Sequence, residues 1–404
     1  MNKRKIFNDP VYGFITIPSD IIFDLIQHPY VQRLRRISQL GLTHLTYPGA
    51  LHTRFHHALG ALHLMTLTID QLKQKGTVIS AEEEEAVYIA ILLHDIGHGP
   101  FSHALEHLLI DVDHEELSLA LMHELNQQFE GRLTVAIEVF TNRHHKRFLH
   151  QLISGQLDMD RLDYLTRDSF YTGVMEGKVG YDRIIKMLRV IDDQLVVEEK
   201  GIYSIEKFLV ARKIMYWQVY LHKTVLSAEL MLKAAVKRAQ ELYLQGAAIQ
   251  LSKSLTTIFQ SSWSNKDQRD DLLSAFVSLD DVDILALLKN ALYCSDFQLH
   301  LLADGLINRN LFRVELSVIP FKSKDVDLIK EEVATHLEID INLMDELVFT
   351  GIEQTETYDF QESEIKLLNK KGEVVPLTSF QLGPFSSSVA KYYVCYPKLT
   401  NTAF

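Results

Sequence analysis

Cysteine is scarce: Cys294 and Cys395 are the only two in 404 residues. Two thiols build neither a disulfide framework nor a thiolate cage, so any metal must rest on imidazole and carboxylate. No apolar run is long enough to cross a bilayer, and Met1-Asn2-Lys3-Arg4-Lys5 leads into Phe7-Asn8-Asp9-Pro10 without the apolar core of a secretory leader. A cytoplasmic protein with no membrane contact is expected. Positive charge is the minority sign, 41 Lys and Arg against 53 Asp and Glu, and the formal net charge of -12 disfavours nucleic acid as a partner. A local basic pocket can still hold a small polyanion. Internal repeats and low-complexity linkers are also missing, which leaves two or three domains, or one large helical body with an appendage.

Histidine, by contrast, is concentrated. Nine of the 18 histidines fall between His52 and His114. At the centre of this segment is His94-Asp95-Ile96-Gly97-His98-Gly99-Pro100-Phe101-Ser102-His103, set behind the apolar residues 87–93. A polar, metal-capable run at the end of a buried helix costs desolvation unless a cation or substrate satisfies it.

Apolar spacing and caps predict a helix after Ser19, a second from Pro29 to Gly41 carrying Gln32, Arg35 and Gln39, and a third from Phe55 to Gly76. Further helices are expected at 82–95, 114–128, 133–141, 147–153, 158–168 and 180–190. A hairpin near 194–204 is expected to turn at Lys200-Gly201, ahead of one long helix over about 205–244 and helical pieces to about 305. Beyond that point the pattern alternates at 311–316, turns amphipathic at 323–337, and pairs 365–368 with 374–375 across Lys371-Gly372. The fold class is therefore mainly α, with a helical core over 1–305 and a small α+β domain over 306–404.

A catalytic metal site of imidazole and carboxylate leaves positions open for water and substrate. His94 and Asp95 are adjacent, so a helix end must turn both inward. His57 opens a helix able to pack beside theirs, and one of Asp158, Asp160 or Asp163 can complete the set. Any single histidine is more often a helix cap or a satisfied core residue; the cluster is not. Asp160, Tyr164 and Asp168 share a helix face by spacing, and Arg161 lies about 100° round from it. Arg212, Tyr216, Tyr220 and Lys223 share another, which by itself reads as a core face with Arg and Lys reaching to water.

The ordered set His57, His94-Asp95 and Asp160 resembles the HD-domain phosphohydrolases. More narrowly, Lys5-Ile6-Phe7-Asn8-Asp9-Pro10, Gln32-Arg33-Leu34-Arg35, Gln39-Leu40-Gly41, His52-Thr53-Arg54-Phe55-His56-His57, the His94 run, Asp158-Met159-Asp160-Arg161-Leu162-Asp163-Tyr164 and Tyr220-Leu221-His222-Lys223 are similar to the deoxynucleoside triphosphate triphosphohydrolases, over roughly residues 5–225. That resemblance implies an HD-domain helical core and a divalent metal (Fe, Mn, Zn or Mg) on His57, His94, Asp95 and Asp160. A further Mg can arrive with the nucleotide. It implies His114 as general acid, with His98, His103 and Asp158 beside it. Substrate contacts implied are Arg54, Gln39 and Leu40 at the phosphate and sugar, with Arg161, Tyr164, Asp168, Arg212, Tyr220 and Lys223. Water would attack the α-phosphorus to give a deoxynucleoside and inorganic triphosphate.

Two departures stand out. Arg161 occupies a family lysine position, and Gln27 stands where a guanine-reading member has aspartate. Lys5, Gln32 and Arg35 match positions of a regulatory nucleotide site, and the resemblance implies a homo-oligomer, dimer or tetramer. No SAM domain stands before the core, so partners recruited through one are not expected. Two rival readings are an HD phosphodiesterase or phosphatase acting on another nucleotide, and a non-catalytic binder of nucleotides or single strands.

Overall fold

The computed structural model describes residues 5–355, 364–380 and 389–399, so the Met1-to-Arg4 start on which the leader reading rests lies outside it. A hairpin of β1 (Ile6–Asp9) and β2 (Gly13–Thr16) leads into α1 (Asp20–Gln27) and α2 (Pro29–Arg33). The helix expected to run to Gly41 stops at Arg33 and passes through a single tighter turn. Gln39 and Leu40 therefore lie in an irregular loop, tied down by the bridge of Ser38 to Thr53.

The centre is built by α3 (Arg54–Gln74), α4 (Ala81–Leu93), α5 (His114–Gln128), α6 (Thr134–Phe140), α7 (Arg147–Gln151) and α8 (Met159–Thr172). Ser80 starts α4 with a reciprocal cap, receiving the Glu83 amide at 3.1 Å while Glu83 receives the Ser80 amide at 2.8 Å. From Ala86 to Leu93 every residue of α4 is buried, so this helix is the core's axis rather than an amphipathic surface helix. It packs on α3 and α6, and α3 packs on α8, which brings the ends of three helices to one place.

After α9 (Tyr181–Met187) the expected hairpin is present but displaced. Its strands are β3 (Leu188–Ile191) and β4 (Gln194–Glu198), turning at Asp192-Asp193 with φ of 48° and 59° rather than at Lys200-Gly201. Aspartate tolerates the left-handed region that a two-residue hairpin turn demands, whereas Lys200-Gly201 closes the turn that opens the next helix. The long helix expected over 205–244 is also two: α10 (Ile202–Met215) widens into a π-helical turn at Tyr216–Tyr220 before α11 (Lys223–Leu244) starts afresh, with the His222 ring receiving the Thr224 amide at 3.2 Å.

Helices α12 (Lys253–Gln260), α13 (Arg269–Phe276), α14 (Asp281–Ala291) and α15 (Phe297–Ile307) complete the helical body. The remainder holds β5 (Arg313–Ser317), α16 (Ser323–Leu337), β6 (Phe349–Thr355), β7 (Lys366–Leu368), β8 (Val374–Pro376) and β9 (Val389–Tyr396). Strands β5, β9 and β6 form an antiparallel sheet in that order, covered on one face by α11. The β7–β8 hairpin instead joins β4 in parallel, so the sheet β3-β4-β7-β8 crosses the expected division at 305. Leu311, Phe312, Val394 and Cys395 likewise share one core with Met231 of α11. Among the described residues no helix is long and apolar enough to cross a membrane.

Candidate metal centre and cavity

His57 lies in the first turn of α3, His94 and Asp95 just past the end of α4, and Asp160 in the first turn of α8. The His57 Nε2 atom stands 3.4 Å from His94 Nε2, 3.1 Å from Asp160 Oδ1 and 3.5 Å from Asp95 Oδ2. The His94 Nε2 atom is 3.4 Å from Asp95 Oδ1 and 3.5 Å from Asp160 Oδ1. Donors about 2.0–2.2 Å from a shared ion sit roughly 2.9–3.5 Å apart, so His57, His94 and Asp160 can hold one divalent cation, and Asp95, which meets His57 through Oδ2 and His94 through Oδ1, adjoins them.

Tautomers point the same way. His94 Nδ1 donates to the Ile91 carbonyl at 2.7 Å and His57 Nδ1 to Asp163 Oδ2 at 2.8 Å, which turns both Nε2 lone pairs toward each other. Two lone pairs at that separation repel unless a cation lies between them. Burial works against charge on His57, yet the carboxylates of Asp160, Asp163 and Asp95 outweigh it and push its pKa up to about 10. The centre thus draws positive charge, as a proton or as a metal.

Asp163 is an orienting group here and not a ligand. Its two oxygens also receive Arg167 at 3.0 Å each, and Arg167 reaches on to Asp9 at 2.7 Å. This buried chain fits only because Gly60 of α3 has no side chain. A Cβ there would stand 2.0 Å from Asp163 Oδ1 and 2.1 Å from the Arg167 guanidinium. Gly60→Ala is expected to lose at least ~1–3 kcal/mol of stability, the range for overpacking, measured by thermal denaturation of the purified protein. A melting temperature equal to the parent's would show that the network yields freely.

A second histidine group adjoins the first. The His98 ring centroid is 4.8 Å from that of His103 and 3.9 Å from that of His114. Gly97 permits this approach, since a Cβ would stand 2.2 Å from the His114 carbonyl, and Ser118 of α5 bonds the Gly97 amide at 3.0 Å and the His94 carbonyl at 2.8 Å. Glu106 grips the other two rings, meeting His103 Nδ1 and His114 Nδ1 at 2.6 Å each. Burial lowers the His114 pKa, but the Glu106 hydrogen bond and the charges of Asp95 and Glu106 outweigh it, so His114 holds its proton above the usual histidine range. His98 goes the other way: burial, then Arg54 and its neighbouring histidines, hold it neutral, and its Nε2 has no partner.

Both groups open into one cavity of about 410 Å³. Arg54 lies in its wall, bonded to Asp95 and, at 2.7 Å, to Ser102 Oγ. Opposite are Gln39, whose Oε1 is buried without a partner, and Leu40. Tyr164, Tyr216, Tyr220 and Asp168 form a further wall, in which the Tyr220 hydroxyl and His52 Nε2 each reach Asp168 at 2.7 Å.

Four expected contacts are not brought there. Asp158 is the buried N-cap of α8, receiving the Arg161 amide at 2.6 Å, and it also binds the Arg161 side chain, so this pair serves the helix start rather than the cavity. The i,i+3 spacing at a helix start favours that pairing. Arg212 reaches Gln156 at 2.9 Å, and Lys223 lies in a separate cleft with Thr224, Arg313 and Lys398. The π-helical turn rotates the chain between Tyr216 and Lys223, so these no longer share a face. Lys5, Gln32 and Arg35 are outside the cavity: Arg35 stacks 3.7 Å above the Phe55 ring and donates to Gln32 at 2.9 Å, while Lys5 lies over Phe23 at 5.2 Å.

The HD domain family matches residues 54–168, and the family described as HD associated region matches 179–254. The chain is 35% identical over 320 residues to the uncharacterized protein YwfO of Bacillus subtilis, a match covering 78% of this chain and 72% of that one. It is 32% identical over 259 residues to the deoxynucleoside triphosphate triphosphohydrolase SAMHD1 homolog of Dictyostelium discoideum, covering 59% of this chain and half (50%) of that protein. The crystal structure of a phosphohydrolase from Bacteroides thetaiotaomicron superposes with a TM-score of 0.94 at 48% identity, over 98% of this chain and 100% of that one.

Proposed function

This chain belongs to the HD-domain phosphohydrolase family, and we propose that it cleaves deoxynucleoside triphosphates into the deoxynucleoside and inorganic triphosphate. What supports this is the make-up of one cavity: a metal-capable cluster of imidazole and carboxylate, a histidine beside it whose pKa is raised by Glu106, and a lining of Leu40 and tyrosines. A divalent ion on His57, His94, Asp95 and Asp160, be it Fe, Mn, Zn or Mg, supplies Lewis acidity toward a phosphoryl oxygen and a lowered pKa for water. An additional Mg can arrive with the nucleotide.

The chain's own residues divide the remaining work. Arg54 places positive charge, and His103 a ring donor, at the triphosphate end. His98, neutral with a free Nε2, receives a hydrogen bond from the attacking water. As the bond from the α-phosphorus to the 5′-oxygen breaks, His114 delivers its proton to that oxygen and Glu106 holds the ring in line. Gln39 reaches the sugar 3′-hydroxyl, and Leu40 closes the space at C2′. Nucleotide regulation through Lys5, Gln32 and Arg35, and assembly into a dimer or tetramer, belong to this proposal on the sequence blocks alone.

Incubating the metal-loaded protein with each deoxynucleoside triphosphate and identifying the phosphorus product tests the reading. Inorganic triphosphate is expected; orthophosphate, pyrophosphate or no release refutes it and favours a phosphatase, phosphodiesterase or binding role. Sugar choice gives a further check. Leu40→Gly is expected to improve turnover of ribonucleotides relative to deoxyribonucleotides by the ~1–3 kcal/mol that an apolar steric wall supplies. Unchanged discrimination in competition assays would make Leu40 a packing residue only.

A further inference from the structure

Glu229 is a carboxyl in the cavity that neither the metal centre nor the acid–base pair uses. It is carried on α11, which packs against the turn at Ser102–Leu105, and its side chain forms part of the cavity wall. It comes within contact range of Gly41. A Cβ on Gly41 would stand 3.6 Å from Glu229 Oε1 and 3.0 Å from the Phe101 carbonyl oxygen. Glu229 thus borders the loop directly after Leu40.

Polarity decides which part of a nucleotide meets it. A triphosphate needs cations and donors, and these are gathered at the metal cluster, Arg54 and the three histidines. A carboxylate would repel it. Beyond Leu40, the base is what remains, and an acidic acceptor selects bases by their donors. Guanine alone presents two adjacent donors on one edge, the ring N1–H and the 2-amino group, matching the two oxygens of a carboxylate. In adenine and cytosine the amino group adjoins a ring nitrogen lone pair, which a carboxylate repels, and thymine offers one N–H.

We infer that Glu229 reads the base, accepting both donors of a guanine in this cavity. The inference rests on the nucleotide reading given above. The charge environment suits a group that waits for such a ligand. Burial raises the Glu229 pKa to about 7, Lys233 one turn along α11 lowers it, Glu353 of β6 raises it, and no hydrogen bond is among the influences. Two donors from the base would hydrogen-bond the carboxyl and draw it to its ionised form.

The test compares the 5′-methylene analogues of dGTP and dITP, which cannot lose the triphosphate, by equilibrium binding to the metal-loaded protein. Hypoxanthine keeps the ring N–H but lacks the 2-amino group. The parent is expected to bind the guanine analogue about tenfold more tightly, the effect of one charge-assisted hydrogen bond, and Glu229→Gln is expected to close that gap. Equal affinities in the parent, no binding of either analogue, or a gap that persists in the variant would each overturn the inference. Melting curves accompany both proteins; if Glu229→Gln melts below the assay temperature, Glu229→Asp, which retracts the charge by one methylene, is read in its place. A Glu229-dependent gap without release of inorganic triphosphate from dGTP itself would refute the hydrolytic reading and leave this one standing.

Discussion

His94→Ala and Asp160→Ala are each expected to abolish bound metal and turnover together, with activity down by on the order of 10³-fold or more, because a catalytic Lewis acid is worth several kcal/mol. The two residues approach from different helices, His94 from the end of α4 and Asp160 from the start of α8, so an ion held there would tie these elements to His57 on α3. Removing either leaves three donors and a gap open to water. A site that binds metal in the folded state alone also stabilises the fold, by ~2.7 kcal/mol when free metal is 100 times its Kd. Metal-dependent thermal stabilisation is therefore expected in the parent and absent from both variants. Elemental analysis with full metal occupancy in both would remove these residues from the centre. Metal loss with parental turnover would remove the metal from the chemistry.

How much of this was legible in the sequence depends on how each contact is made. The His94-to-His103 run was readable because its chemistry is contiguous, and His57 and Asp160 because ordered blocks surround them. Glu106 was not singled out, although it stands three residues beyond His103. The pair is an i,i+3 contact in the short turn Ser102–Leu105, which the left-handed Phe101 and Ser102 set off from any periodic apolar pattern that would have announced a helix. Asp158 and Arg161 were read as chemistry, but a helix start gives a carboxylate at the cap and a cation three residues on an obvious use for each other. Lys223 was lost because the helix widens at Tyr216–Tyr220 and then ends, α11 starting afresh after the extended His222, so spacing along one helix no longer relates it to Tyr220. Glu229 was unreadable because its relation to Gly41 is one of space alone. The same holds at the larger scale: the α16 helix over Ser323–Leu337 followed from local periodicity, whereas the joining of β7 to β4 depends on strands far apart in the chain.

Replacing His114 with alanine is expected to leave metal and substrate binding near parental values and to slow the chemical step by ~10²–10⁴-fold, the range for a positioned general acid. The division of labour follows from the geometry. In the proposed site four other residues hold the ion, while His114 touches Glu106 and faces the cavity beside His98. Its proton matters only as charge develops on the leaving 5′-oxygen, so its loss should fall on turnover and not on affinity. The alternative is that His114 merely opens α5. Its own amide bonds Glu106 at 3.2 Å and keeps that bond in the variant, so only the ring's contact at the helix end would be lost, at ~1 kcal/mol of stability with no change in the chemical step. A second variant separates the two by pH. Glu106→Gln removes the partner that raises the His114 pKa, so the acid form should be lost at lower pH. Activity carried by protonated His114 falls as pH rises through its pKa. The alkaline limb of the single-turnover rate is therefore expected to move to lower pH in Glu106→Gln and to vanish in His114→Ala. A limb that stays in place in both variants would put the general acid elsewhere.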